Sequence, residues 1–97
     1  MLNPDGVVLG NYRTSLSGKD LNREFINPDE EIFPEIYNLK KFVRRLRHLY
    51  KKDFLMYLDF HGHSTKKNCF TYGPEFSITN SNYYQCRIFP KLLSSQT

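Results

Sequence analysis

An apolar run, Phe54-Leu-Met-Tyr-Leu58, breaks off at Asp59 into Phe60-His-Gly-His-Ser64, and this change of character constrains the chain more than any other stretch. Large apolar side chains in succession, without a helical cap and closed by Gly62, read as a strand covered on both faces. Such a strand requires a sheet. It would deliver Asp59, His61, His63 and Ser64 to a strand end, where ligands gather in open α/β sheets. The expected class is therefore α/β, with a site at His61.

The flanking chain supplies helices and turns. Pro34 suits the first turn of a helix. Ile36, Leu39, Phe42, Val43, Leu46, Leu49 and Tyr50 then recur at helical spacing, with Lys40, Lys41, Arg44, Arg45 and Arg47 on the other side. Residues 1–24 carry Pro4, Gly6, Gly10 and Gly18 among Asn, Asp and Ser, and read as a loop. Asn68 to Tyr72 reads as a second short strand ended by Gly73-Pro74. Asn82 to Leu93 is helical in spacing, and Pro90 predicts that it divides into two short helical pieces.

Composition narrows the partners. A chain of 97 residues with a net charge of +4 holds one small globular unit, or part of one, and favours an acidic partner, with acidic peptide, nucleic acid and plain solubility all open on charge alone. No apolar run reaches the roughly 18 residues of a membrane span. No basic and then apolar leader opens the chain. Cys69 and Cys86 lack metal-pair spacing and stand among apolar or aromatic residues, which suits reduced, buried thiols in a reducing compartment. Aromatic residues are not interleaved with the basic ones as a nucleic-acid stacking platform requires.

Five motifs stand in order along the chain: Asn3-Pro-Asp-Gly6, Gly10-Asn-Tyr-Arg13, Asp20-Leu-Asn-Arg23, Asp59-Phe-His-Gly-His-Ser64 and Lys66-Lys-Asn68. Together they resemble the zinc metallocarboxypeptidases, and most closely their cytosolic branch. The resemblance implies a fragment of the mixed-sheet carboxypeptidase fold, helices packed on a central sheet, with residues 1–97 as the middle of one catalytic domain incomplete at both ends. Met1 and Leu2 would then be the last residues of a core strand. The implied reaction is zinc-dependent removal of C-terminal residues, glutamates of acidic tails among them, in the cytoplasm.

The resemblance also implies roles. His61 matches the zinc ligand contributed by a strand end, and His63 a neighbouring position typical of the cytosolic branch that is not a ligand. Asn22 and Arg23 match the pair that grips the substrate's terminal carboxylate, for which a planar guanidinium is suited. Asp20 matches the acid that orients another zinc-binding histidine, and Arg13 the catalytic donor to the oxyanion. Asp59 would orient an imidazole. Lys66 and Lys67 would line the mouth of the site and favour glutamate side chains.

From spacing alone, a hydrogen-bonded histidine pair at a strand end and a solvated Arg23 with Asn22 in a turn are the commoner readings. A catalytic zinc takes three protein ligands and a carboxylate base. The family's first two ligands come as His-x-x-Glu, and no such spacing occurs in these residues. Glu75 belongs to a different motif and is not read as the base. The alternative is a non-catalytic basic module in which Arg13, Arg23, Lys66 and Lys67 hold an acidic peptide.

Overall fold

Helix α2, Pro34–Tyr50, is the longest element. It starts where Asp29 turns the chain. The Asp29 carboxylate accepts the N–H groups of Glu31 and Ile32 at 2.8 and 3.0 Å, and the Asp29 carbonyl accepts that of Phe33 at 3.0 Å. Pro34 then occupies the first helical turn at no cost in hydrogen bonds. The helix ends at Lys51, whose positive φ of 46° turns the chain into the 3-10 segment Lys51–Asp53.

The computed structural model describes residues 1–96, which form two compact units, Met1–Leu58 and the chain from Asp59 on. In the first unit Ile36 of α2 is only 1% exposed and packs with Leu21 and Phe33, while Leu2 and Phe25 close around them. Each such side chain contributes about 1.5–3 kcal/mol on burial. This cluster fixes the loop that precedes α2.

Residues 1–24 are more ordered than their turn-rich composition predicts. Asn3 accepts the Gly6 N–H at 3.1 Å and Pro4 stands at the first position of α1, Pro4–Val8, so an N-cap and an N1 proline outweigh the glycine. Asp20 caps a 3-10 turn at Leu21–Arg23. Met1 and Leu2 belong to no strand.

The expected sheet is absent among the described residues, where an isolated antiparallel bridge between Thr14 and Asp20 takes its place. The α/β expectation, helices on a central sheet, is therefore corrected to a chain of helices and turns. Residues 54–60 and 69–72 are extended or irregular without a ladder, and Leu55 and Phe60 are 83% and 90% exposed. A strand exists through hydrogen bonds to another strand, and the pattern of apolar side chains cannot supply that partner.

The second unit contains α3, Asn82–Ser94, a single helix that passes through Pro90 rather than dividing there. Its last turn is held by the Ser94 and Ser95 hydroxyls, which donate to the Lys91 and Leu92 carbonyls at 2.9 and 2.7 Å. The thiols are also more open than their apolar company predicts. Cys86 is half-buried, and Cys69 is exposed because the strand expected to hold it does not form.

Candidate functional site

Asp20 organises one polar constellation. Its Oδ1 accepts the Asn22 N–H at 2.9 Å, which forms the turn carrying Asn22 and Arg23, and its Oδ2 accepts from Arg13 Nη1 at 3.0 Å. Leu21 is buried and Phe25 half-buried on either side of Asn22-Arg23, so the turn is anchored at both shoulders. The Asn22 amide, followed by Arg13 and Arg23, holds the Asp20 carboxyl below the ordinary carboxylate range although partial burial opposes this. The same contact with Asp20 raises the Arg13 guanidinium further.

Arg13 is positioned from a distance in sequence. Asn11 Oδ1 accepts the N–H groups of Arg13 and Thr14, each at 3.2 Å, and Asn11 Nδ2 also donates to the Thr14 hydroxyl. Asn3 Nδ2 donates to the Thr14 carbonyl at 3.0 Å, tying α1 to this loop. Gly6 makes the approach possible, since a Cβ there would lie 2.6 Å from the Thr14 oxygen. Asn3, Gly6, Asn11 and Thr14 were not singled out as site residues from sequence. An Asn before a proline and an Asn three residues before a Thr are the signals that point to them.

The histidine segment forms a separate group in the second unit. His61 Nε2 lies 2.9 Å from Asp59 Oδ2, an exposed pair with 54% and 35% of the side chains accessible. His63 Nδ1 accepts the N–H groups of Thr65 and Lys66 at 3.2 and 2.9 Å, so its lone pair is occupied by a turn. The ring of His63 meets Phe70 edge-on at 5.3 Å. Lys66 Nζ stands 4.8 Å from the Phe70 centroid and 5.1 Å from that of Tyr72, a cation–π arrangement. Lys67 is exposed. The structure thus brings Arg13, Asp20, Asn22 and Arg23 together in one unit, and Asp59, His61, His63 and Lys66 in the other.

Among the described residues no group of three or more His, Cys, Asp or Glu side chains could hold a metal ion. His61 meets Asp59 through Nε2 and His63 accepts backbone N–H groups through Nδ1, which leaves each ring one other nitrogen and the pair two imidazoles at most. These donors do not fit a catalytic zinc, which takes three protein ligands and leaves one position open. No helix among the described residues is long and apolar enough to cross a membrane.

The amino-acid sequence has named relatives. It is 47% identical over 95 residues to cytosolic carboxypeptidase 3 of Bos taurus, covering 97% of this chain and 9% of that protein. It is 47% identical over 94 residues to cytosolic carboxypeptidase 2 of Homo sapiens, covering 96% of this chain and 10% of that protein. Cytosolic carboxypeptidase 1 of Gallus gallus is 45% identical over 106 aligned residues, again with 97% of this chain and 9% of that protein. The relatives are carboxypeptidases by name. Over nearly its whole length the chain is similar to a stretch of the cytosolic carboxypeptidases, and it spans about a tenth of the length of these relatives. No family model and no solved structure matches it.

Proposed function

We propose that this chain serves carboxypeptidase function, the removal of C-terminal residues from cytosolic proteins with acidic, glutamate-rich tails, and that its own share is to recognise the C-terminal carboxylate. The observation that carries this is the Asp20-capped turn, which presents Asn22 and Arg23 between Leu21 and Phe25 and holds Arg13 alongside. A guanidinium fork suits a terminal carboxylate, and the anchored turn reduces the ordering cost of gripping it. Arg13 keeps further N–H donors beyond the one spent on Asp20, enough for a developing oxyanion. Zinc enters this reading through the resemblance of His61 to a ligand position, and no step is assigned to it from the donors described.

The second reading is a basic module that holds acidic peptides without cleaving them. It is favoured by the net charge of +4 and by the exposure of the Arg13 and Arg23 side chains. One experiment separates the two. Binding of a fluorescent peptide ending in three glutamates is measured against the same peptide with an amidated C-terminus. Carboxylate recognition predicts roughly fivefold weaker binding of the amide, a difference abolished by Arg23→Ala. Equal affinity for both peptides, with steep weakening by salt, would sink it in favour of the basic module.

A further inference from the structure

Half of the 14 lysines and arginines in the chain fall between Lys40 and Lys52. No acidic residue stands between Ile36 and Tyr50 of α2, and among the described residues no carboxylate pairs with a basic side chain of this helix. Successive turns therefore set like charges four apart, Lys40 with Arg44 and Lys41 with Arg45, an arrangement that disfavours an isolated helix. Lys41, Arg44 and Arg45 are exposed and lie about 140°, 80° and 180° around the helix from Ile36, which is buried in the core. The core thus holds in place a cationic arc that the helix by itself would resist.

This arc is continuous with the Arg23 turn. Lys40 Nζ donates to the carbonyls of Phe25 and, at 2.8 Å, Ile26, the residues that follow the turn. Phe25, Lys40 and Arg44 also line one cavity of about 260 Å³. Arg23 and Phe25 are two residues apart, so their α-carbons lie within about 7 Å of each other. A tail held at its terminus by Arg23 has its preceding residues at the start of the arc.

We propose that the basic face of α2 is a docking surface for an acidic peptide, holding the glutamates upstream of the terminal residue through Lys41, Arg44 and Arg45. The proposal rests on carboxylate recognition at the Asn22-Arg23 turn for its direction, and on α2 alone for its charge. An α-helix repeats every 5.4 Å, and alternate side chains of an extended peptide lie about 6.6 Å apart, so successive turns offer a cation to successive carboxylates. Nucleic acid is the weaker fit. Of the aromatic residues on α2, Tyr37 has Lys41 Nζ 5.9 Å from its ring centroid. The exposed Phe42 and Tyr50 lie about 240° and 320° around the helix from Ile36, beside the arc rather than on it, whereas a base-stacking platform needs ring faces among the cations.

The test uses the full 97-residue chain and three peptides of equal length: one ending in eight glutamates, the same with an amidated terminus, and a neutral peptide ending in a single glutamate. Arg44→Gln with Arg45→Gln keeps helix propensity nearly unchanged and removes two charges. The expected result is roughly tenfold weaker binding of both octaglutamate peptides and unchanged binding of the single-glutamate peptide. Unchanged octaglutamate affinity would overturn the proposal, as would equal loss on all peptides, which marks a fold defect. Lys41→Gln with Arg45→Gln repeats the test on a different pair. If amidation is without effect while the arginine substitutions still weaken octaglutamate, the α2 surface stands and carboxylate recognition falls. A single-stranded oligonucleotide that outcompetes octaglutamate and loses affinity in the same variants would assign the surface to nucleic acid and overturn the peptide reading.

Discussion

The turn at Asp20 and the turn at His63 are made alike, each by a polar side chain accepting backbone N–H groups a few residues ahead. Their surroundings differ. The Asp20 turn has Leu21 in the core, Arg13 across an ion pair, and Thr14 tied to Asn3 eleven residues away. The His63 turn is supported by Phe70 and Tyr72, which are 38% and 75% exposed. Capping sets a turn's local shape, whereas burial and bonds to distant chain set its position. The Asp20 turn therefore holds Arg13, Asn22 and Arg23 in place more firmly than the His63 turn holds the histidine segment.

Truncating the core should break this contrast most severely. Ile36→Ala removes the most buried side chain and is expected to cost about 3 kcal/mol, a large share of the stability of a domain this small. Urea unfolding followed by amide resonances should show Asn22 and Arg23 losing order, with the His63 to Lys66 turn unchanged. Simultaneous loss in both segments would contradict their independence.

Gly6→Ala attacks the distant tie. Its Cβ would press on the Thr14 carbonyl, so about 2 kcal/mol and a lowered Tm are expected. A wild-type Tm would mean that the Asn3 to Thr14 bond does not hold Arg13.

Removing the Asp20 cap is milder. Asp20→Ala should cost about 1 kcal/mol, checked by chemical denaturation. The charge also has a pH signature. The folded carboxyl is held below its unfolded value of about 4, so the unfolded chain binds the proton first. The stabilisation is present above that value and is lost as pH falls through the lower, folded pKa. Asp20→Asn should flatten the acid limb of the stability curve; an unchanged limb would assign acid sensitivity elsewhere.

The smallest effect belongs to the histidine segment. Asp59→Ala removes an exposed partner of His61 and should change stability by less than about 0.5 kcal/mol. A loss comparable to that at Asp20 would show that the two turns are equally anchored, and the contrast would collapse.

Much of this was legible in the residues. The periodicity from Ile36 to Tyr50 and Pro34 at its head specify α2, because helical hydrogen bonds reach only four residues along the chain. The motif Asp20-Leu-Asn-Arg23 marked the polar constellation, and an aspartate capping its own turn is likewise local. The same locality carries α1, yet it is masked in the sequence because the turn-rich composition of residues 1–24 points to a loop.

Tertiary structure decided the rest. Residues 54–60 have the composition of a buried strand, yet a strand is completed only by a ladder of hydrogen bonds with another segment, and no β-ladder includes them among the described residues. Pro90 predicts a break, but Ser94 and Ser95 hold the helix beyond it. That Asn3 reaches Thr14 and that Lys40 reaches Phe25 follows from which surfaces the Leu21, Phe33 and Ile36 cluster brings together. Local bonding can be read from neighbours in sequence; contacts between distant residues exist only once burial has paid the entropy of closing the loops between them.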